Sequence, residues 1–175
     1  IDVICDSVPP ADFGSEREYS CTIGVLYYDA PGTWRVTVSV DDTTAATGTD
    51  NSVTFTLAST SAISISPSSL TWPTIGLAST DVLSSNDPIT ITNQGNTAGS
   101  SPSITVQAFN IPGLTTPTEF LLSSDFTVNT ADACNTGNSM IDSTAASILG
   151  STLPRGSASQ PVQTEDVYFC LEQVN

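Results

Sequence analysis

The stretch TWRVTVSVDD, residues 33–42, sets Trp34, Val36, Val38 and Val40 at every second position, with Arg35, Thr37 and Ser39 between them. A period of two sends successive side chains to opposite faces of an extended backbone, so the pattern predicts a half-buried strand. It recurs along the chain. REYSCTIGVLYY (17–28) aligns Tyr19, Cys21, Ile23, Val25 and Tyr27, and NSVTFTL (51–57) aligns Val53, Phe55 and Leu57. AISIS (62–66), PITIT (88–92), SITVQAF (103–109), DFTVN (125–129) and EDVYFCLEQV (165–174) repeat the pattern. Turn-formers separate them, among them Asp29-Ala30-Pro31-Gly32, the run 47–51, and Asn93-Gln94-Gly95-Asn96. Only Ser139–Leu149 suggests a turn or two of helix, and its Ser and Thr residues dilute that tendency. Many short strands with frequent turns predict an all-β chain of antiparallel sandwich units. A short polar join at Ser59–Ser61 divides it into units 1–59 and 60–175.

Charge narrows the range of partners. Of 175 residues 12% are charged, about half the usual share, and Ser and Thr fill the surface instead. Three arginines, no lysine and no histidine face 18 carboxylates, for a net charge of −15. That balance repels phosphate backbones and anionic bilayers, so neither nucleic acid nor a basic membrane contact is expected. No apolar run approaches the length of a membrane span. The chain starts without the cationic and apolar segments of a signal peptide and reads as mature protein.

Cys5, Cys21, Cys134 and Cys170 are even in number and sit in a lysine-free, Ser/Thr-rich chain of secreted character, which predicts disulfides. Three pairings are open. Cys5 with Cys21 and Cys134 with Cys170 is preferred, because it keeps each bridge within one unit. Without CxxC spacing or histidine, zinc is the weaker reading. Cys21, in phase with Ile23 and Val25, is expected to staple the interior of the first unit. Cys170 alternates with Phe169 and Leu171 and is expected to pin the 130–138 loop over the outer face.

Two stretches carry a resemblance. YYDAPGTWRVTVSVDD is similar to the closing half of PKD-like or immunoglobulin-like surface domains, with Pro31, Gly32 and Trp34 at the turn and Asp41 and Asp42 at the end. SPSSLTWPTIG followed by DPITITNQGN resembles the immunoglobulin-like modules of archaeal and bacterial surface proteins of the S-layer, filament and adhesin type. The resemblance implies two immunoglobulin-like antiparallel β-sandwich units at the cell surface and supplies no catalytic residue.

Set beside that pattern, strands are missing. The first unit shows roughly four where about seven are usual, and the second lacks a strand after VYFCLEQV. An apolar edge is a template for another chain. The expectation is therefore an extracellular structural subunit that binds copies of itself head to tail by β-strand complementation. Ile1, Val3 and Ile4 are the expected donor, and Val167, Phe169 and Leu171 the expected acceptor. A bond from Cys5 to Cys21 would leave mainly residues 1–4 free to cross over. The plain alternative is a piece of a longer surface chain, acting as a carbohydrate- or calcium-binding adhesion module.

Catalysis is not expected. The absence of histidine removes the usual serine triads and HExxH sites, and no GxSxG, P-loop, GxGxxG or Asp-Thr/Ser-Gly occurs. No cofactor is expected. Asp41, Asp42 and Asp50 are the candidate ligands for calcium, although a solvated acidic loop is preferred because EF-hand and RTX spacings are missing. Trp34 and Trp72 read as core anchors, and Tyr27, Tyr28 and Tyr168 as interface or half-exposed strand residues.

Overall fold

The computed structural model describes residues 2–7, 19–41, 44–100 and 103–174. Among the described residues every pairing between named strands is antiparallel, and the one helical element is a 3-10 turn at Ser123–Asp125.

Among the described residues six short strands form the N-terminal unit: β1 (Asp2–Ser7), β2 (Tyr19–Gly24), β3 (Gly32–Arg35), β4 (Val38–Asp41), β5 (Thr47–Asp50) and β6 (Thr54–Leu57). The expectation of about four strands is corrected here. TWRVTVSVDD keeps its alternation but changes partner midway, so one predicted strand becomes β3 paired with β6 and β4 paired with β5. Val36 N–H still donates to the Val53 carbonyl at 2.9 Å, and the switch follows at Thr37. β1 pairs with β2 along its whole length, with Cys5 opposite Cys21.

The C-terminal unit contains β7 (Ile63–Ser66), β8 (Thr80–Leu83), β9 (Ile89–Asn93), β10 (Gly99–Ser100), β11 (Thr105–Gln107) and β12 (Ile111–Pro112). It continues with β13 (Phe120–Leu121), β14 (Phe126–Asn129), β15 (Asn138–Ser139), β16 (Ala145–Ser147), β17 (Thr152–Leu153) and β18 (Thr164–Gln173). Its main sheet has the order β15-β14-β18-β9-β7, with β8 also on β18. Two-stranded ladders β10–β17, β11–β16 and β12–β13 complete the unit. The helical tendency of Ser139–Leu149 is overridden. Ser143 takes a φ of 57° and its N–H donates to the Ala108 carbonyl at 2.9 Å, while Met140 and Ile148 turn into the core.

The last strand is the centre of this sheet. Leu171 is registered with Phe126 on one edge and Val82 on the other, and Cys170 with Thr127 and Leu83. Farther back, Val167 pairs with Ile89 and Thr164 with Thr92. β18 is ten residues long, with strands on both edges at Cys170 and Leu171 and β9 along one edge of Thr164–Val167. Val167, Phe169 and Leu171 are 1%, 8% and 0% exposed. Their expected role as an acceptor surface is therefore corrected: they are core, packed with Ile91, Phe126, Val128 and Leu153. Burial of each such side chain contributes roughly 1.5–3 kcal/mol.

Candidate functional site

No strand pairing joins β1–β6 to β7–β18 among the described residues, yet the two units touch through specific contacts. Tyr27 Oη donates to the Pro161 carbonyl at 2.7 Å, and Arg155 Nη1 donates to the Tyr28 carbonyl at 2.8 Å. These tyrosines thus serve a contact within the chain. They are set by a turn in which Asp29 Oδ2 accepts the Leu26 N–H at 2.8 Å and Asp29 N–H returns to the Leu26 carbonyl at 3.0 Å.

The join itself is clamped by Asn96, and Asn93 braces the turn that carries it. Asn96 Nδ2 donates to the Ala58 carbonyl at 2.9 Å. Asn93 Nδ2 donates to the carbonyls of Thr97 and Pro154 at 2.8 and 2.9 Å. Both side chains are buried. Gly95 between them approaches the linker so closely that a Cβ would collide with the Thr60 carbonyl oxygen. Sequence reasoning read NQGN only as a turn. The signal available was two amide side chains around a glycine, a pattern that suits close backbone approach.

Two open places bear on assembly. The first is the outer edge of β7, the end of the main sheet. The Ala62 carbonyl accepts from Gln94 N–H at 2.9 Å. Alternation along the strand then turns the N–H and C=O groups of Ile63 and Ile65 away from β9. Ile63 and Ile65 are 60% and 51% exposed, and β7 contains neither charge nor proline. Beside it lies a groove of about 280 Å³ lined by Ile63, Asn93, Thr97, Ile104 and Leu153 among others, with no charged residue. Elsewhere in this sheet β15 is only two residues long and β8, which pairs with β18 alone, carries Asp81, so among the described strands β7 is the longer edge without a charge.

The second open place is a cleft of about 340 Å³ in the N-terminal unit. Val3, Ile23, Trp34, Val38 and Phe55 line it, with Cys5 and Cys21 beside them. Trp34 and Phe55 face each other across β3 and β6, nearly parallel at 12° with centroids 6.5 Å apart. The Trp34 indole N–H donates to the Ala30 carbonyl at 2.8 Å, which leaves the ring wall apolar. Among the described residues of this unit none is buried, so the inward face predicted from alternation opens onto a cleft in place of a closed core. By contrast Trp72 packs against the C-terminal core, edge-on to Phe126 at 5.4 Å.

The other sequence candidates fall as follows. Cysteines are joined as Cys5–Cys21 and Cys134–Cys170. The Cys5–Cys21 bridge is exposed, a correction to its expected interior position, because no layer of the described residues covers the face it shares with Ile23. Cys170 is buried under the 130–138 loop, where Glu172 accepts from Asn135 N–H at 2.8 Å and from the Thr127 hydroxyl. Cys134, Cys170 and Glu172 lie together, but the sulfurs are spent in the bridge and the carboxylate in these hydrogen bonds. The donor role of residues 1–4 is also corrected: Ile1 lies outside the described residues, and Val3 and Ile4 are exposed side chains of a strand already paired with β2. Asp41 and Asp50 do not converge. Asp41 is registered with Thr47 and Asp50 with Val38, at opposite ends of a four-residue ladder and roughly 10 Å apart. Calcium ligands sit about 2.3–2.6 Å from one ion. Asp50 Oδ1 instead accepts the Ser52 N–H at 2.9 Å, which holds its carboxyl below the ordinary range. Asp42 lies outside the described residues.

No family model, curated protein or solved structure matches this chain.

Proposed function

We propose that this chain is an extracellular structural subunit that assembles into a surface filament or lattice by β-strand addition between copies, with β7 as the acceptor edge. The observation that carries the reading is β7 itself: four residues long, uncharged, with Ile63 and Ile65 exposed beside a neutral groove. Soluble proteins ordinarily cover such an edge or guard it with charge, proline or a bulge. A strand laid along it forms ladder bonds worth roughly 0.5–1.5 kcal/mol each and covers Ile63 and the groove wall. Ordering a flexible donor costs about 1–2 kcal/mol per residue, so addition prevails only where the groove is filled as well.

The two disulfides support an oxidising, extracellular setting. No helix among the described residues is long and apolar enough to cross a membrane. In this reading the C-terminal unit is an immunoglobulin-like sandwich, with the main sheet facing the β10–β17 and β11–β16 ladders across the core of Val128, Ile148, Leu153 and Leu171. No reaction and no catalytic residue are assigned.

Light scattering and electron microscopy of the purified chain, beside Ile65→Lys, test the proposal. Wild-type chain is expected to form large particles and the lysine variant, correctly folded by circular dichroism, to remain monomeric. Wild type that stays monomeric at every salt and pH tried, or a lysine variant that assembles equally well, overturns it.

A further inference from the structure

Along the outer edge of β7 the residues that turn their backbone groups away from β9 are Ile63 and Ile65, with Ser64 between them. That order, Ile-Ser-Ile, is the same read from either end. Two such strands meeting antiparallel about Ser64 set Ile63 of one copy against Ile65 of the other, and Ile65 against Ile63. Each opposed pair exchanges two bonds, N–H to C=O in both directions, so every outward group of the strand is used. A pairing centred on Ile63 or on Ile65 leaves a single pair within β7 to bond. With the centre at Ile65, moreover, Ile63 faces Pro67, which has no N–H to give.

The side chains agree with the backbone. Ile65 is registered with Ile91 and Ile63 with Asn93, so both isoleucines share the face of the sheet on which Ile91 and Asn93 are buried. Ile91 is 6% exposed, whereas Ile65, one strand farther out, is 51% exposed. The apolar face thus runs to the edge and stops there uncovered by the described residues. In the pair centred on Ser64 the core-facing sides of the two sheets lie on one side, where isoleucine meets isoleucine, and the serines meet on the other.

Charge allows the approach. Residues 51–80 contain no charged side chain, and neither do residues 88–118, in a chain with 18 carboxylates. β7, β9 and the lining of the groove beside β7, Leu153 excepted, all come from these two runs. Two copies at −15 therefore bring these edges together without setting carboxylate against carboxylate along the strands.

We infer that the occupant of the β7 edge is β7 of a second copy, paired antiparallel about Ser64 across a two-fold axis, so that two main sheets become one. The inference rests on the assembly reading above and names the partner segment and its register. A two-fold contact is isologous: it satisfies both edges at once and stops at a pair. Any longer array then joins such pairs through other surfaces.

Engineered cysteines read the register in the full chain. The native cysteines are all bridged, so Ser64→Cys and Ser66→Cys each add one free thiol at an exposed position. In the inferred pair the two Ser64 Cα atoms stand opposite each other about 4.5 Å apart, within reach of a disulfide. Ser66 instead faces Ala62, which leaves the two Ser66 positions roughly 13 Å apart and beyond bridging. Sedimentation velocity of wild type is expected to show a species of twice the 18.1 kDa chain. Under air oxidation S64C is expected to form a covalent dimer on a non-reducing gel at least tenfold faster than S66C, with the circular dichroism of both unchanged from wild type. If wild type assembles but S64C is bridged no faster than S66C, another segment fills the edge: this pairing is wrong and the assembly reading stands. If S64C is bridged as expected and wild type stops at the pair at every salt and pH tried, the pairing stands and the filament reading falls. Wild type that remains monomeric throughout overturns both.

Discussion

Asn96 and Thr60 are bonded in both directions: Asn96 Oδ1 accepts the Thr60 N–H at 2.7 Å, and Asn96 N–H donates to the Thr60 carbonyl at 3.0 Å. A side chain has taken the place of a strand neighbour and fixed the backbone of the join between the two units. Asn96→Ala removes two side-chain bonds, those to Thr60 N–H and the Ala58 carbonyl. Each buried group left unpaired costs roughly 1–3 kcal/mol. Urea denaturation is expected to show a loss of that order for the C-terminal unit, and limited proteolysis to show new cleavage within residues 58–62. An unchanged digestion pattern would mean that the clamp does not hold the join.

Leu171 has no exposure and neighbours on both edges of its strand. Leu171→Ala is expected to destabilise by about 2–5 kcal/mol, the usual range for a large-to-small change in a core. Leu114→Ala, at the exposed hairpin tip, is expected to stay within about 0.5 kcal/mol. Equal and small effects at both positions in a denaturation series would place Leu171 at a surface.

Tyr168 sits between carboxylates, and its ionisation is raised, first by partial burial and then by Asp166, Asp132 and Asp87. Folding therefore favours the neutral phenol. The associated stability is fully present below the unfolded value of about 10 and is lost as pH rises through the higher folded value. Ultraviolet titration is expected to show a phenol ionising above the ordinary range, and Tyr168→Phe to remove that late step. A late step that survives Tyr168→Phe, or no late step in wild type, would contradict the assignment.

Assembly is expected to depend on charge. Copies at −15 repel one another over about 8 Å at physiological ionic strength. Scattering should rise with added salt and as pH falls toward the pI of about 4.1. Because Asp41 and Asp50 stand apart, calcium should act no more strongly than magnesium at equal ionic strength. A saturable response specific to calcium would point to a binding site elsewhere.

Much of the fold was legible in the order of residues. Alternation at AISIS, PITIT, DFTVN and EDVYFCLEQV marks β7, β9, β14 and β18 to within a residue or two, while NSVTFTL begins three residues before β6 and TWRVTVSVDD runs through both β3 and β4. The cysteine count and spacing favoured the two bridges that the structure contains. Less legible was the site. Ile63 and Ile65 alternate like those of any half-buried strand, and nothing in their order marks β7 as an edge.

Alternation reports the two faces of a strand, because side chains project above and below the sheet. Hence the sequence alone determined an all-β protein and which residues of each strand share a face. Neighbours within a sheet are chosen in its plane, by backbone N–H and C=O groups that are the same at nearly every residue. Only the tertiary structure decided that the final strand lies at the centre of its sheet, that β7 forms an uncharged edge, and that the described residues leave the apolar face of the N-terminal unit uncovered.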